Sequence, residues 1–533
     1  MGLFLNPDIE LFSMSVASDI YVDKTGLIDF VNRFIGKERP YLASSRPRRF
    51  GKTMAAKMLA AYYSKGCNSK ELFNGLKIGK LASFEKHLNK FDVILMDLRW
   101  MYGIALEQKN EDPNIRIIPF IQNLVINELK DTFPSVVEDK DVSLPAVLAK
   151  INNRTGKKFV VIIDEWDCIF REDKNNIELQ KEYIDFLRGM FKGIVADKFI
   201  ALAYITGILP IKKYGTESAL NNFREFTMLN PMGMAEYIGF TEHEVSKLCA
   251  EYDVSFDDMK QWYDGYSFKR EKHIYCPNSV VEAILNGELN NYWTKTGTYE
   301  ILKSYIAMDF KGLKQKIVEM LAGNRCKINT DRFQNDMTTF TDADDVLTLL
   351  IHLGYLAYDS EKAEAYIPNS EVRSEMINAV SGDGWDEVYK AITDSEKLLK
   401  ATWTMEEDKV AKMIHDVHTA NSSSLVYNNE VSLSSIIMLA YYSAAKDYTV
   451  IRELPTGEGF ADMVFIPKRS ATVPAMIIEL KWDKSAEGAI GQIKDKGYVD
   501  ALKEYKGNLL LVGINYNKKT RVHQCKIEKY EMK

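Results

Sequence analysis

Ser45-Arg-Pro-Arg-Arg-Phe-Gly-Lys-Thr53 decides the reading of this chain. It follows a short apolar segment, Pro40 to Ala43, and runs into Met54-Ala-Ala-Lys-Met-Leu-Ala-Ala-Tyr-Tyr63, which has the composition of a helix. Strand, tight turn, Gly-Lys-Thr and helix is the layout of a phosphate-binding loop. Such a loop aims backbone N–H groups and a helix N-terminus at a triphosphate. Lys52 is then expected on the β- and γ-phosphates, and Thr53 on Mg²⁺. Arg46 stands where the usual pattern has glycine, a place arginine can fill with a negative φ.

A lone Gly-Lys-Thr says little, so the second half of the argument lies in Phe159-Val-Val-Ile-Ile-Asp-Glu-Trp-Asp167. Its apolar run reads as a strand buried on both faces. Asp164 and Glu165 follow at the C-terminal end, where open α/β sheets place their chemistry. Asp164 is expected to hold Mg²⁺ through water, and Glu165 to orient or deprotonate an attacking water. The alternative is an acidic cap on a core strand.

Two further strands are expected, Phe91 to Leu98 and Lys198 to Gly207. The first lies between the two motifs, the arrangement of NTPases that use a catalytic glutamate. Thr206 ends the second strand, placed either to sense a γ-phosphate or to cap a turn. Arg224 is a candidate charge partner for phosphates or a neighbouring subunit, or a surface ion-pair residue. Residues 19–35 read as an extended segment and a helix capped by Thr25, placed to wall a base pocket or simply to pack. Residues 115–130 and 177–193 have helical periodicity.

At 533 residues, 46% hydrophobic and 27% charged, the chain has an ordinary soluble globular composition with room for several domains. A net charge of −6 excludes a general basic coat, though not a local groove. The 6 cysteines form no Cys-x-x-Cys pair, which fits a reducing cytoplasm. No apolar run reaches the ~18 residues of a membrane span, and the N-terminus lacks the basic start of a signal peptide.

From about residue 231 the strand pattern stops. Residues 234–265 and 278–323 read as helices, with an aromatic turn, Trp262-Tyr-Asp-Gly-Tyr-Ser-Phe268, between them. Helix, hairpin and helix from Asp344 to beyond Glu371 suggest a winged-helix-like lid or subunit contact, and Ser381-Gly-Asp-Gly384 reads as a linker. The organisation expected is a phosphate-loop domain over 1–230, a helical and winged-helix-like region over 231–384, and a third domain over 385–533.

In that last domain, Tyr448 to Leu454, Phe460 to Ile466 and Ala475 to Trp482 read as strands, followed by a helix from Ala486 to Tyr498. Asp462 and Glu479 lie 17 residues apart, the reach of two antiparallel neighbours. Period 2 puts Glu479 and Lys481 on one face. Two carboxylates and an amine on one sheet surface suit Mg²⁺ or Mn²⁺ and phosphodiester chemistry. Gln492, on the following helix, is placed to position the scissile phosphate. The alternative is a cross-strand ion-pair face.

The ordered set Tyr21-Val-Asp-Lys-Thr25, Arg46-Pro-Arg-Arg-Phe-Gly-Lys-Thr53, Ile163-Asp-Glu-Trp-Asp167, Ile205-Thr-Gly-Ile208, Trp262-Tyr-Asp-Gly-Tyr266 and Ile478-Glu-Leu-Lys481 resembles bacterial AAA-ATPase-like proteins with a C-terminal PD-(D/E)xK nuclease-superfamily domain. The resemblance spans nearly the whole chain and absorbs Arg46. It implies an ASCE-type P-loop NTPase fold binding Mg-ATP through Lys52, Thr53 and Asp164, with Arg48, Arg49, Phe50 and Gly51 around the nucleotide. It implies a metal-dependent nuclease triad at Asp462, Glu479 and Lys481, with Glu430 as the helix glutamate. The family pattern Gly-x-Gly-Arg-x-Asp is here Gly457-Glu-Gly-Phe-Ala-Asp462, with Phe460 in place of arginine. The expected activity is an ATPase coupled to cleavage of DNA or RNA, with homo-oligomers as a further expectation. The competing expectation is a non-catalytic ATP-driven switch whose C-terminal domain binds nucleic acid or a protein partner.

Overall fold

The computed structural model describes residues 2–531 except 215–216, 270, 294–298, 309, 382–383, 422–429, 457–458, 469–470 and 503–506. The middle of the expected linker and Gly457-Glu458 therefore lie outside the described residues, as does the side chain of Glu430. Contacts divide the chain into two compact units, 1–296 with 327–372, and 297–326 with 373–533.

The first unit is built on a five-stranded parallel sheet. Its strands are β1 (Tyr41–Ser45), β2 (Asp92–Asp97), β3 (Phe159–Asp164), β4 (Ile200–Gly207) and β5 (Arg224–Phe226), in the order β2-β3-β4-β1-β5. β1, β3 and β4 are buried throughout. Their continuous apolar sequence follows from having both faces covered. Helices 117–132, 144–155 and 177–191 pack on one face, with Ile121, Val125, Leu148, Tyr183 and Leu187 joining Ile94, Val161 and Ile205 in one core. β4 lies between β1 and β3, so the loop after β1 and the acidic end of β3 flank one strand end. Asp97, Asp164 and Thr206 are register neighbours there.

Beyond residue 231 the expected loss of strands does not hold. Phe240–Thr241 and Ile274–Tyr275 pair antiparallel, in addition to the expected hairpin of Ala357–Asp359 with Glu364–Tyr366. Nor are there two long helices. Helices 242–251, 256–263 and 277–286 are short because each has its own start signal: the Thr241–Glu244 capping box, the Ser255 cap and Pro277. They pack with Ile20 and Tyr292 in a separate small core. The helix–hairpin–helix segment comprises Ala343–Leu353, the 357–366 hairpin and Ser370–Ala379. Thr25 does not cap helix 26–32; its hydroxyl bonds Asp23 and the N–H of Ile78 instead.

In the second unit a mixed sheet runs β6 (Tyr448–Thr456), β7 (Gly459–Pro467), β8 (Ala475–Trp482), β9 (Leu509–Asn517) and β10 (Val522–Tyr530), paired in sequence order. Only β8 and β9 are parallel, joined across helix 486–495. Helices 386–403, 407–421 and 430–440 cover one face through Leu399, Ile414 and Ile437 against Ile478, Leu480 and Val512. Helix 486–495 covers the other through Ile490 and Ile493 against Ile477 and Leu511. No helix among the described residues is long and apolar enough to cross a membrane.

Candidate functional site

Helix 52–63 starts directly after Gly51. Turning from β1 into this helix requires left-handed backbone at Arg49 (φ 66°) and Gly51 (φ 91°), while Arg46 keeps a negative φ. Arg46 is fully buried. Its Nη1 donates to the carbonyls of Ser45 (2.8 Å) and Phe226 (3.2 Å), and its guanidinium lies over the Phe268 ring. It pins the base of the loop to β5, a task glycine cannot perform. Phe50 meets Tyr266 edge-on, and the indole N–H of Trp293 donates to the Arg48 carbonyl.

Lys52 is buried and its Nζ donates to the Pro47 carbonyl at 2.7 Å. Burial pulls the ammonium down to about 8 against the opposing pull of Asp164, Asp167 and Glu165. Burial pushes Asp164 up to about 6, while a hydrogen bond from Thr53 and the charge of Lys52 oppose the rise. Glu165 takes a left-handed φ of 52°, turning the chain sharply after β3. Its carboxylate accepts from Arg171 Nη2 at 2.7 Å. Burial would raise this carboxyl, but Arg171, Lys52 and Arg99 hold it below its ordinary range. Arg171 also pairs with Asp167 (3.2 Å), whose Oδ2 accepts the N–H groups of Ile208 and Leu209 at the end of β4. Gly207 lets that acid approach: a Cβ there would lie 2.6 Å from Asp167 Oδ1.

Of these groups, Lys52, Thr53, Arg99 and Glu165 line a cavity of about 710 Å³. The loop from Arg48 to Thr53 and Glu165 form one wall. Ile20, Tyr21, Val22 and Lys24 form another, with Tyr237, Phe240 and Asn278. The segment before the loop thus lines the cavity. Thr53, Asp97 and Asp164 also line a smaller cavity of about 220 Å³. Three expected residues fall outside the large cavity, Asp164 among them because it lines only the smaller one. Thr206 is fully buried and does not line the large cavity, and Arg224 stacks its guanidinium on Phe34. Arg49 lines it, but its Nη1 donates to the Tyr292 carbonyl.

In the second unit Glu479 and Lys481 share a buried face, and Lys481 Nζ donates to Glu479 Oε1 at 2.8 Å. Gln492 donates to the same oxygen and to the Tyr498 hydroxyl. Asp462 accepts from the N–H of Leu480 at 2.7 Å, which locks β7 against β8 beside the acid. Burial first, then the charge of Asp462, pushes Glu479 up to about 7. Glu479 Oε2 is buried without a hydrogen-bond partner among the described residues. An orphaned carboxylate oxygen next to a second carboxylate fits a hard divalent cation. No group of three or more acidic, histidine or cysteine ligands forms among the described residues, so such an ion would take its remaining ligands from water or substrate.

Sequence reading missed Arg171, Arg99 and Asn278, while Lys24 falls in the segment expected to wall the pocket. Arg171 had a local signal, its i,i+4 spacing from Asp167. Arg99 and Asn278 reach the cavity only through tertiary folding.

Residues 10–216 match the family model described as predicted AAA-ATPase, and residues 429–526 match the PD-(D/E)XK nuclease superfamily. An uncharacterised protein in the vnfD 5′ region of Azotobacter chroococcum mcd 1 is 23% identical over 524 residues, covering 94% of this chain and 93% of its own. Among solved structures, the Walker-type ATPase paby2304 of Pyrococcus abyssi matches at a TM-score of 0.33 and 13% identity, over 66% of this chain and 94% of that one. The Aeropyrum pernix ORC2 protein (ADPNP–ADP complexes) matches at 0.27 and 12%, over 71% and 99%. The assignment rests on strand order and the family matches, not on these distant likenesses. The chain joins a AAA-ATPase-like domain to a C-terminal domain of the PD-(D/E)XK nuclease superfamily.

Proposed function

We propose that the chain binds and hydrolyses ATP, and that nucleotide state gates a metal-dependent nuclease site in its C-terminal domain. The observation that carries the first half is the cavity at the N-terminus of helix 52–63, lined by Lys52, Thr53 and Glu165, with Asp164 beside Thr53 in the smaller cavity. Lys52 leaves the Pro47 carbonyl for the β- and γ-phosphates. Thr53 and Asp164 hold Mg²⁺, and Glu165, kept ionised by Arg171, takes the proton of the attacking water. Ile20 to Lys24 and Phe240 enclose the base and ribose. The roles of 1–230 as ATPase core, 231–384 as lid and 385–533 as nuclease-like domain belong to the same reading.

The second half rests on Glu479. Asp462 and Glu479 hold Mg²⁺ or Mn²⁺, Lys481 steadies developing negative charge, and Gln492 orients Glu479. A divalent ion at either site supplies Lewis acidity toward phosphate oxygens. Phe460 favours a second reading, in which this domain binds DNA, RNA or a protein partner without cutting. It is 61% exposed two residues before Asp462, where the family pattern has a cation.

Cleavage of single- and double-stranded DNA and RNA with Mg²⁺ or Mn²⁺, with and without ATP, tests both. Cutting by wild type that vanishes in Glu479→Ala, and loses its ATP dependence in Lys52→Ala, is expected. No cutting under any condition, with ATP binding intact, favours the switch reading over the nuclease.

A further inference from the structure

The large cavity carries a charge imbalance that Lys52 and Glu165 do not explain. Five cations line it, Lys24, Arg48, Arg49, Lys52 and Arg99, against one carboxylate, Glu165. Most of these charges are engaged. Lys24 pairs with Glu244, Arg49 and Lys52 donate to loop carbonyls, and Glu165 is held by Arg171. Arg48 and Arg99 have neither an ion pair nor a hydrogen bond from their guanidinium groups to any described residue. Two unpaired guanidinium groups on the wall of a cavity call for an anion of more than one charge.

Arg99 has the more informative position. It lies two residues past Asp97, the end of the strand beside β3, and Asp97 is the register neighbour of Asp164. It falls in the first turn of helix 98–111, whose cap is the Asp97 carboxylate accepting from Trp100 N. Arg99 is exposed, and a cation in a first turn gains nothing from the helix dipole. It lines the same cavity as Glu165, the acid expected to hold the attacking water, and its charge acts on Glu165 and on Arg48. Arg224, the charge partner expected from sequence, does not line this cavity.

We propose that Arg99 is the catalytic arginine of this site. It meets the γ-phosphate from within the same chain, so turnover needs no residue from a second copy. The proposal rests on the ATP-hydrolysis reading above. In the step it serves, a bond forms between water oxygen and the γ-phosphorus, and the bond from that phosphorus to the β,γ-bridging oxygen breaks. ADP leaves with the electron pair, the water proton passes to Glu165 and then to the released phosphate, and Arg99 neutralises charge on the oxygens in transit.

The test uses the full chain with Mg²⁺: wild type, Arg99→Ala, Arg99→Lys and Lys52→Ala. Calorimetry reads binding of ATP, of ADP, and of ADP with aluminium fluoride, which imitates the phosphate in transit. Arg99→Ala is expected to bind ATP and ADP like wild type, which also reports its folding. Its turnover and its affinity for the aluminium fluoride complex should fall about 100–1000-fold, with Arg99→Lys intermediate. The wild-type rate per chain should stay flat on dilution. Wild-type turnover in Arg99→Ala, equal losses for ADP and the fluoride complex, or a rate per chain that collapses on dilution overturns the proposal. Wild type that binds ATP without turning it over overturns it together with the hydrolysis reading. Wild type that does not bind ATP removes the nucleotide reading itself, and Arg99's role with it.

Discussion

Lys52 and Pro47 close the phosphate-type loop on itself, the ammonium donating to the carbonyl at 2.7 Å. The ammonium is buried and pulled from 10.5 to about 8. Its folded pKa thus lies below the unfolded one, so the folded chain holds this proton less tightly. The charge costs stability at neutral pH, and the cost fades as pH rises from 8 through 10.5. Lys52→Met is expected to raise the thermal midpoint of the nucleotide-free protein while weakening ATP binding by about 10–100-fold. Fluorimetry and calorimetry read the two effects, and a lowered midpoint would contradict the burial argument.

Arg171 holds two acids at once, Glu165 at 2.7 Å and Asp167 at 3.2 Å. Asp167 is fully buried. Removing the guanidinium leaves that charge uncompensated, which costs about 3–5 kcal/mol. Arg171→Met is therefore expected to lose both stability and turnover, the first seen as an earlier denaturant midpoint. Arg171→Lys should recover part of the stability, because a single ammonium can reach one acid but not form the fork.

Glu165→Gln separates binding from chemistry. The amide keeps a hydrogen bond to Arg171 but cannot take a proton. Turnover should fall by about 10²–10⁴-fold, with ATP affinity within a few-fold of wild type in the same preparation. A variant that turns over normally would reduce Glu165 to a strand-end cap.

The parts of this molecule legible in sequence were those written in contiguous residues. Phe159 to Ile163 reads as a doubly covered strand because no polar residue interrupts it, and Ala475 to Ile478 is a like apolar run that opens the strand Ala475–Trp482. Glu479 and Lys481 share a face because strands alternate with period 2. What was hidden depends on distant pairing. The insertion of β4 between β1 and β3 has no local signature, and Phe240–Thr241 with Ile274–Tyr275 are too short to show any period. Arg99 looks like an ordinary helix residue until the fold turns it toward Glu165.

Two buried histidines of the second unit, His418 and His523, meet beside Tyr516, with the half-buried His415 next to them. His418 Nδ1 and His523 Nε2 share one hydrogen at 2.9 Å, and the His415 ring lies 5.7 Å from that of His523. Burial pulls His418 down to about 4 and His523 to about 3, and neighbouring imidazoles add to the effect. Folded values below the unfolded 6.5 mean that stability is complete above 6.5 and is lost as pH falls from there toward 3. Each proton forced in costs about 1.4 kcal/mol per pH unit. Denaturant midpoints should decline with acid across that window, and His523→Leu should flatten the decline. An unchanged slope would place the acid sensitivity elsewhere.

Glu479 offers the most direct check on the C-terminal site. Lys481 and Gln492 both engage Oε1, which leaves buried Oε2 to a cation. The carboxyl is pushed up to about 7, so its proton must leave before a metal can enter. Ionised above 7 and neutral below, it makes metal affinity rise with pH. Mn²⁺ should therefore raise the thermal midpoint of wild type more at about pH 8 than at about pH 6. The shift should survive Lys52→Ala, which lies in the other unit, and vanish in Glu479→Gln. The amide keeps the packing and both neighbours but lacks the charge, so loss of the shift without loss of fold assigns the cation to this carboxylate. A full Mn²⁺ shift in Glu479→Gln would leave Glu479 and Lys481 as a buried ion pair that stiffens the sheet.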